Sequence, residues 1–197
     1  MAGPSPKGLA TVGPGIGHNA GPALDPGHRG RTIAWTHARA ALLPHLAVEV
    51  VRLRVKRAQE LGLPYRTYAG IRASTGHDLI GFLFSSNALR VLRDADALPA
   101  DRTALLSRLR ADRVALAQPR VTTAALARLA VIDAAFAAPA TTLSWAATRD
   151  HLRGVVRLRG PADRFVIVGD TALERDWVAA VGAAGWVAGD AYFAAAG

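Results

Sequence analysis

Four groups of residues in this sequence have types and spacing that could do chemistry. Arg54, Arg57, Arg66, Thr67 and Arg72 straddle the turn Leu61-Gly62-Leu63-Pro64, which places cationic and short polar side chains on either side of a helix-breaking corner. A helix-turn-helix reader uses such groups in the DNA major groove, where guanidinium meets phosphate or guanine and a hydroxyl reaches base edges. His77-Asp78 precedes Ser85-Ser86, which supplies the base, carboxylate and nucleophile types of a hydrolase. Gly169-Asp170-Thr171 follows the apolar run Phe165-Val166-Ile167-Val168, at the kind of strand end where α/β proteins hold phosphate. Near the N-terminus, glycines surround a His-Asn pair in Gly15-Ile16-Gly17-His18-Asn19-Ala20-Gly21-Pro22, a pattern that could cradle an anion or help bind a metal.

Each group also has a structural reading. Adjacency does not bring a base within reach of a serine, and no glycine-flanked serine elbow is present, so His77 to Ser86 reads as capping residues around a buried helix. Thr171-Ala172-Leu173-Glu174 has the spacing of a capping box, which makes Asp170 a helix-dipole partner. Gly-Asp-Thr resembles one motif of haloacid-dehalogenase-like phosphatases, but their nucleophilic aspartate pair has no counterpart here. The glycine cradle lacks a following helix, and one histidine is not a metal site. With no cysteine, no Gly-x-x-x-x-Gly-Lys loop and no Gly-x-Gly-x-x-Gly, neither a metal nor a cofactor is expected, and an enzyme is not the favoured reading. The corner has features against DNA reading as well: Tyr68 is bulky, Gly70 weakens the second helix and Leu63 is a poor N-cap.

Charge distribution points to a class of partner. The formal net charge is +9, and it is segregated: residues 29–128 hold 17 Arg and Lys against 7 Asp and Glu, residues 129–197 only 6 against 7. A localised positive field favours a polyanion, and arginine suits bidentate phosphate contacts. No apolar run reaches the ~18 residues needed to span a bilayer, and the N-terminus lacks the pattern of a secretion signal, so a cytoplasmic protein that does not enter membranes is expected.

The elements that would position these groups read as mainly α. Residues 1–30 carry eight glycines and five prolines and are expected to be a disordered leader. Residues 31–138 are expected to form a basic helical domain. Its central helix, 36–61, has a polar stripe paired as Glu49–Arg52 and Lys56–Glu60, with Arg54 and Arg57 inside the apolar arc. Gly62 and Pro64 turn the chain into a second helix, Tyr65 to Ala73. Leu79 to Phe84 is apolar without alternation and reads as a buried helix between helical neighbours. Residues 99–117 read as an amphipathic helix with Arg108 and Asp112 paired, and Thr122 to Ala137 as a further buried helix. After the Ala-Pro-Ala-Thr-Thr link, residues 139–197 are expected to form a small βαβ-like unit: a helix over 148–158, a strand at 165–168, a capped helix from Thr171, and a strand at Trp186-Val187-Ala188.

The leader GIGHNAGP, Trp35, the Arg-x-x-x-Arg-Ala helix and Leu-Gly-Leu-x-Tyr-x-x-Tyr together resemble a group of short bacterial and prophage-borne proteins of unsettled function. These open with an Ile-Gly-His-Asn-Gly-Gly-Pro-type leader. The resemblance covers residues 15–76, with Ala20 where the leader usually has Gly or Ser. A related leader precedes some small nucleoid-type DNA-binding proteins. From charge and corner together the expected function is DNA binding or association, a regulatory role included, through Arg54, Arg57, Arg66, Thr67 and Arg72. The alternative is a helical adaptor or inhibitor that binds an acidic protein partner.

Overall fold

The run Gly81-Phe82-Leu83-Phe84-Ser85 is a strand, β1, and every residue of it is buried. Phe82 and Phe84 face one side and pack with α-helical residues there, while Leu83 joins a second hydrophobic cluster on the other side. A strand covered on both faces has no polar side to alternate with, which is why its sequence carries no period-2 signal. The expectation of a helix here is overturned, and with it the mainly α fold class.

The computed structural model describes residues 47–195. The glycine-rich leader, Trp35 and the first part of the 36–61 helix lie outside these residues. Two helices come first, α1 (Val48–Glu60) and α2 (Tyr65–Thr75), and then β1 (Gly81–Ser85). They are followed by α3 (Ala100–Arg108), β2 (Asp112–Ala117), α4 (Thr123–Ala127), β3 (Ala134–Ala137) and α5 (Trp145–Arg157). A 3-10 turn at Ala162–Arg164 leads into β4 (Phe165–Gly169), α6 (Ala172–Val181), β5 (Gly185–Ala188) and α7 (Gly189–Ala195).

All five strands pair in parallel in the order β3-β2-β1-β4-β5. This is an α/β fold. The expected long helices over 99–117 and 122–137 are each a short helix followed by a strand, because β2 and β3 are alanine-rich and too short to show a period of their own. The expected strand, capped helix and strand at the C-terminal end are present as β4, α6 and β5. They do not form a separate small unit, since β4 pairs directly with β1 from Gly81↔Phe165 to Phe84↔Val168.

One face of the sheet is covered by α3, α4 and α7, with Ala58 of α1 and Tyr68 of α2 reaching the same cluster, and the other by Leu152, Val155 and Val156 of α5 with Trp177, Ala180 and Val181 of α6. Each large side chain buried this way contributes roughly 1.5–3 kcal/mol. The corner forms at Gly62, whose φ of +61° is left-handed, and Leu61 and Leu63 pack beneath it. The Tyr192 hydroxyl of α7 donates to the Leu61 carbonyl at 3.0 Å, fixing that turn against the sheet cover. Helix α1 is peripheral instead of central: only Ala58 is fully buried, while Val48 and Leu53 are 60% and 66% exposed.

Candidate functional site

Parallel strands set two unlike edges, one where every strand begins and one where every strand ends. The arginines of the corner belong to the first. Arg57 Nε donates to Asp78 Oδ2 at 3.0 Å, its Nη2 to the Leu79 carbonyl at 2.9 Å and its Nη1 to the Arg110 carbonyl at 3.0 Å. It therefore ties the end of α1 to the segments entering β1 and β2. Arg72 Nη1 lies 3.8 Å from Asp78 Oδ1, which also accepts the Tyr68 hydroxyl at 2.8 Å. Burial alone would raise the Asp78 pKa, but hydrogen bonds from Tyr68 and Arg57 outweigh it and hold the carboxyl below its ordinary value.

Of the five residues expected at a DNA contact, Arg57 is committed internally and Arg72 leans on Asp78. Arg66 is exposed on the first turn of α2, with Thr67 half-buried beside it and Arg54 half-buried on α1. The expected stripe pairing is also corrected. Glu60 pairs with Arg57 at 3.3 Å, not with Lys56, and Asp112 pairs with Arg159, not with Arg108. Arg113 and Asp133 complete this edge with a bidentate pair, Nε to Oδ2 at 2.8 Å and Nη2 to Oδ1 at 2.6 Å. The Arg113 hydrogen bond holds the Asp133 carboxyl below its ordinary value.

At the opposite edge the order of strands reverses between β1 and β4, the position where open α/β sheets bind ligands. Here that crevice is filled by the protein itself. Glu174, on the first turn of α6, is fully buried. Its Oε1 accepts Asn87 Nδ2 at 2.8 Å and Gln118 Nε2 at 2.7 Å, and its Oε2 accepts the backbone N–H groups of Asp170 at 2.6 Å and Thr171 at 3.0 Å. One carboxyl group thus fastens the ends of β1, β2 and β4. The capping box expected from Thr171 and Glu174 is present, and its carboxyl also takes the backbone donors that would otherwise face an anion after β4. A Cβ on Gly169 would sit 2.9 Å from Glu174 Cβ, so only glycine leaves room for this packing.

Arg90 has a left-handed backbone, φ 58°, and bridges two further carboxylates: Nη2 to both oxygens of Asp190 at 2.7 Å, and Nη1 to Asp170 Oδ2 at 3.1 Å, close enough for ion pairing but without hydrogen-bond alignment. Asp170 is therefore a structural anion. His77 and Asp78 precede β1 whereas Ser85 ends β1 and Ser86 and Asp170 follow β1 and β4, so the hydrolase constellation is divided between opposite edges. The serines close the turn after β1, Ser85 Oγ accepting Ala88 N at 3.1 Å and Ser86 Oγ accepting Gln118 N at 3.2 Å.

Beside this clamp lies a cleft of about 500 Å³, lined by Ser86, Asn87, Leu92, Arg93, Asp96, Gln118, Pro119 and Arg120. Sequence reasoning missed it, since its walls come from loops after two strands that were read as helix. No family model, curated protein or solved structure significantly matches the chain. Among the described residues, no helix is long and apolar enough to cross a membrane.

Proposed function

We propose that this is a cytoplasmic nucleic-acid-binding protein, of DNA in the first instance, that holds the phosphate backbone through exposed cations. The observation that carries this reading is how the charges are partnered. Among the described residues up to 128, Arg52, Lys56, Arg66, Arg93, Arg108, Arg110, Arg120 and Arg128 are exposed and none forms an ion pair with another described residue. The carboxylates of the same stretch are mostly engaged: Glu60, Asp78 and Asp112 by arginine, Asp94 and Asp96 by backbone N–H groups, leaving Glu49 and Asp101 without partners among the described residues. Paired acids do not cancel the field of unpaired bases, and such a field attracts phosphate without requiring base readout.

Within the corner the contact falls to Arg66, with Arg52 and Lys56 one helical turn apart on α1 and Arg54 at its flank. Arg57 is reassigned to structure. The test is fluorescence anisotropy with duplex DNA over a salt series. Binding at low salt that weakens steeply as salt rises supports the reading; absence of binding, or a slope near zero against log salt, defeats it. An acidic protein partner would draw on the same cations, and its capture by cross-linking without nucleic acid would replace DNA as the ligand.

A further inference from the structure

We propose a second, separate site: the cleft between the turns after β1 and β2 binds a small phosphorylated ligand of about nucleoside-monophosphate size. It shares Arg93 and Arg120 with the exposed cations named above but rests on the cleft itself and not on the nucleic-acid reading. Three observations converge on it.

The cleft is prebuilt. Asp96 Oδ2 accepts the backbone N–H groups of Leu92 and Arg93, both at 2.9 Å, which closes the first turn, and Val121 N donates to the Gln118 carbonyl at 2.8 Å, which closes the second. Asp94 then pins one turn to the other, accepting Thr122 N at 2.6 Å and the Thr122 hydroxyl at 3.1 Å, while Thr122 Oγ1 caps α4. Its walls therefore need little ordering when a ligand enters, which favours affinity.

The second observation is the cations. Arg93 and Arg120 line the cleft from the two turns, are exposed, and have no ion-pair partner among the described residues. Of the acids nearby, Asp94 is held by the second turn and Glu174 by four donors, while Asp96 lines the cleft with its Oδ2 held by the backbone N–H groups of Leu92 and Arg93. Two guanidinium groups facing one space suit a phosphate.

The third is the set direction of two amides. Asn87 and Gln118 line the cleft, and each gives an N–H to Glu174 behind it. That commitment fixes the amide flips and leaves both carbonyl oxygens without partners among the described residues. A ligand body that donates hydrogen bonds, as a base amine or a ribose hydroxyl does, complements them. The volume is in the range of small-molecule sites, and the cleft adjoins the strand-order reversal whose own crevice Glu174 fills.

The experiment is isothermal titration of the full chain with AMP, GMP, CMP and UMP in turn, beside adenosine and inorganic phosphate. At least one nucleotide is expected to bind with a Kd below about 1 mM, and its nucleoside and phosphate at least about tenfold more weakly. The double variant Arg93→Gln/Arg120→Gln should weaken that nucleotide by about tenfold or more. Leu92→Trp, which fills the cleft from a half-exposed position, should abolish binding with the thermal midpoint unchanged. Arg66→Gln should leave nucleotide affinity as it is while weakening duplex DNA, so the two proposals fail separately. No binding by any of the four nucleotides up to about 10 mM, phosphate alone binding as well as the nucleotide, or full affinity in the double variant would overturn the site.

Discussion

At the edge where the strands begin, Asp78, Asp112 and Asp133 each receive a guanidinium, from Arg57, Arg159 and Arg113. At the edge where they end, Glu174, the one fully buried acid among the described residues, receives two amides and two backbone N–H groups, and the cleft arginines beside it form no ion pair with a described carboxylate, the Asp96 that shares their cleft being held by backbone N–H groups. The same residue type therefore does different work at the two edges. Arg57, Arg113 and Arg159 at the first edge close contacts within the chain, whereas Arg93 and Arg120 at the second, unlike the neighbouring Arg90, have no ion-pair partner among the described residues. A count of positive charge cannot separate these roles, whereas the position of the acids relative to each strand end can.

The sharpest way to break this comparison is at Glu174. Glu174→Ala leaves four donors without an acceptor in a buried position and should cost about 3–5 kcal/mol in denaturant unfolding. Glu174→Gln keeps the shape but turns an amide group towards donors, and should still cost about 2 kcal/mol. A Gln variant as stable as wild type would remove the clamp from the account. Next comes the sheet itself. Leu83→Ala, in a strand covered on both faces, should cost about 2–4 kcal/mol, while Leu53→Ala on exposed α1 should stay within about 0.5 kcal/mol. Comparable losses at the two sites would contradict the placement of the core.

Smaller effects distinguish the two classes of arginine. Arg57→Ala should lose about 1–2 kcal/mol, a figure reduced by solvent screening at the partly exposed Asp78, and Arg66→Ala should lose under about 0.5 kcal/mol. The pH dependence has a defined sign. Asp78 and Asp133 are held below the ordinary aspartate value in the folded state, so their contribution is full above that value and is lost as pH falls through the lower folded one. Asp133→Asn, read by thermal midpoints across this acid range, should flatten the loss and lower stability at neutral pH. Unchanged steepness would disconnect the Arg113 pair from acid unfolding.

Legibility in the sequence followed the range of the interactions. The second half of the sheet was readable because β4 is bounded by turns, and Thr171 with Glu174 marks the start of α6 within four residues. The corner was readable because Gly62 and Pro64 act on their own backbone. β1 was not, since burial on both faces erases the alternation that separates strand from helix, and a helical reading of its neighbours then carried over to it. β2 and β3 were hidden by alanine, which favours helix in isolation and is overridden here by pairing in the sheet. Glu174 was visible as a capping residue but not as a clamp. Its partners Asn87 and Gln118 are 87 and 56 residues away, and only the sheet order brings them together. For the same reason Arg57 looked like a ligand contact: its partners Asp78, Leu79 and Arg110 cannot be assigned before the strands are.

The most direct test of the central claim, that unpaired exposed cations and not the paired ones hold phosphate, is the salt dependence of duplex-DNA affinity. It should be measured for wild type beside the triple variant Arg52→Gln/Lys56→Gln/Arg66→Gln and beside Arg57→Gln, each shown to be folded. If all three substituted cations of the triple variant contact phosphate, its slope against log salt should be shallower by about 2.7, and Arg57→Gln should retain the wild-type slope. Equal slopes for wild type and the triple variant, or a loss confined to Arg57→Gln, would contradict it.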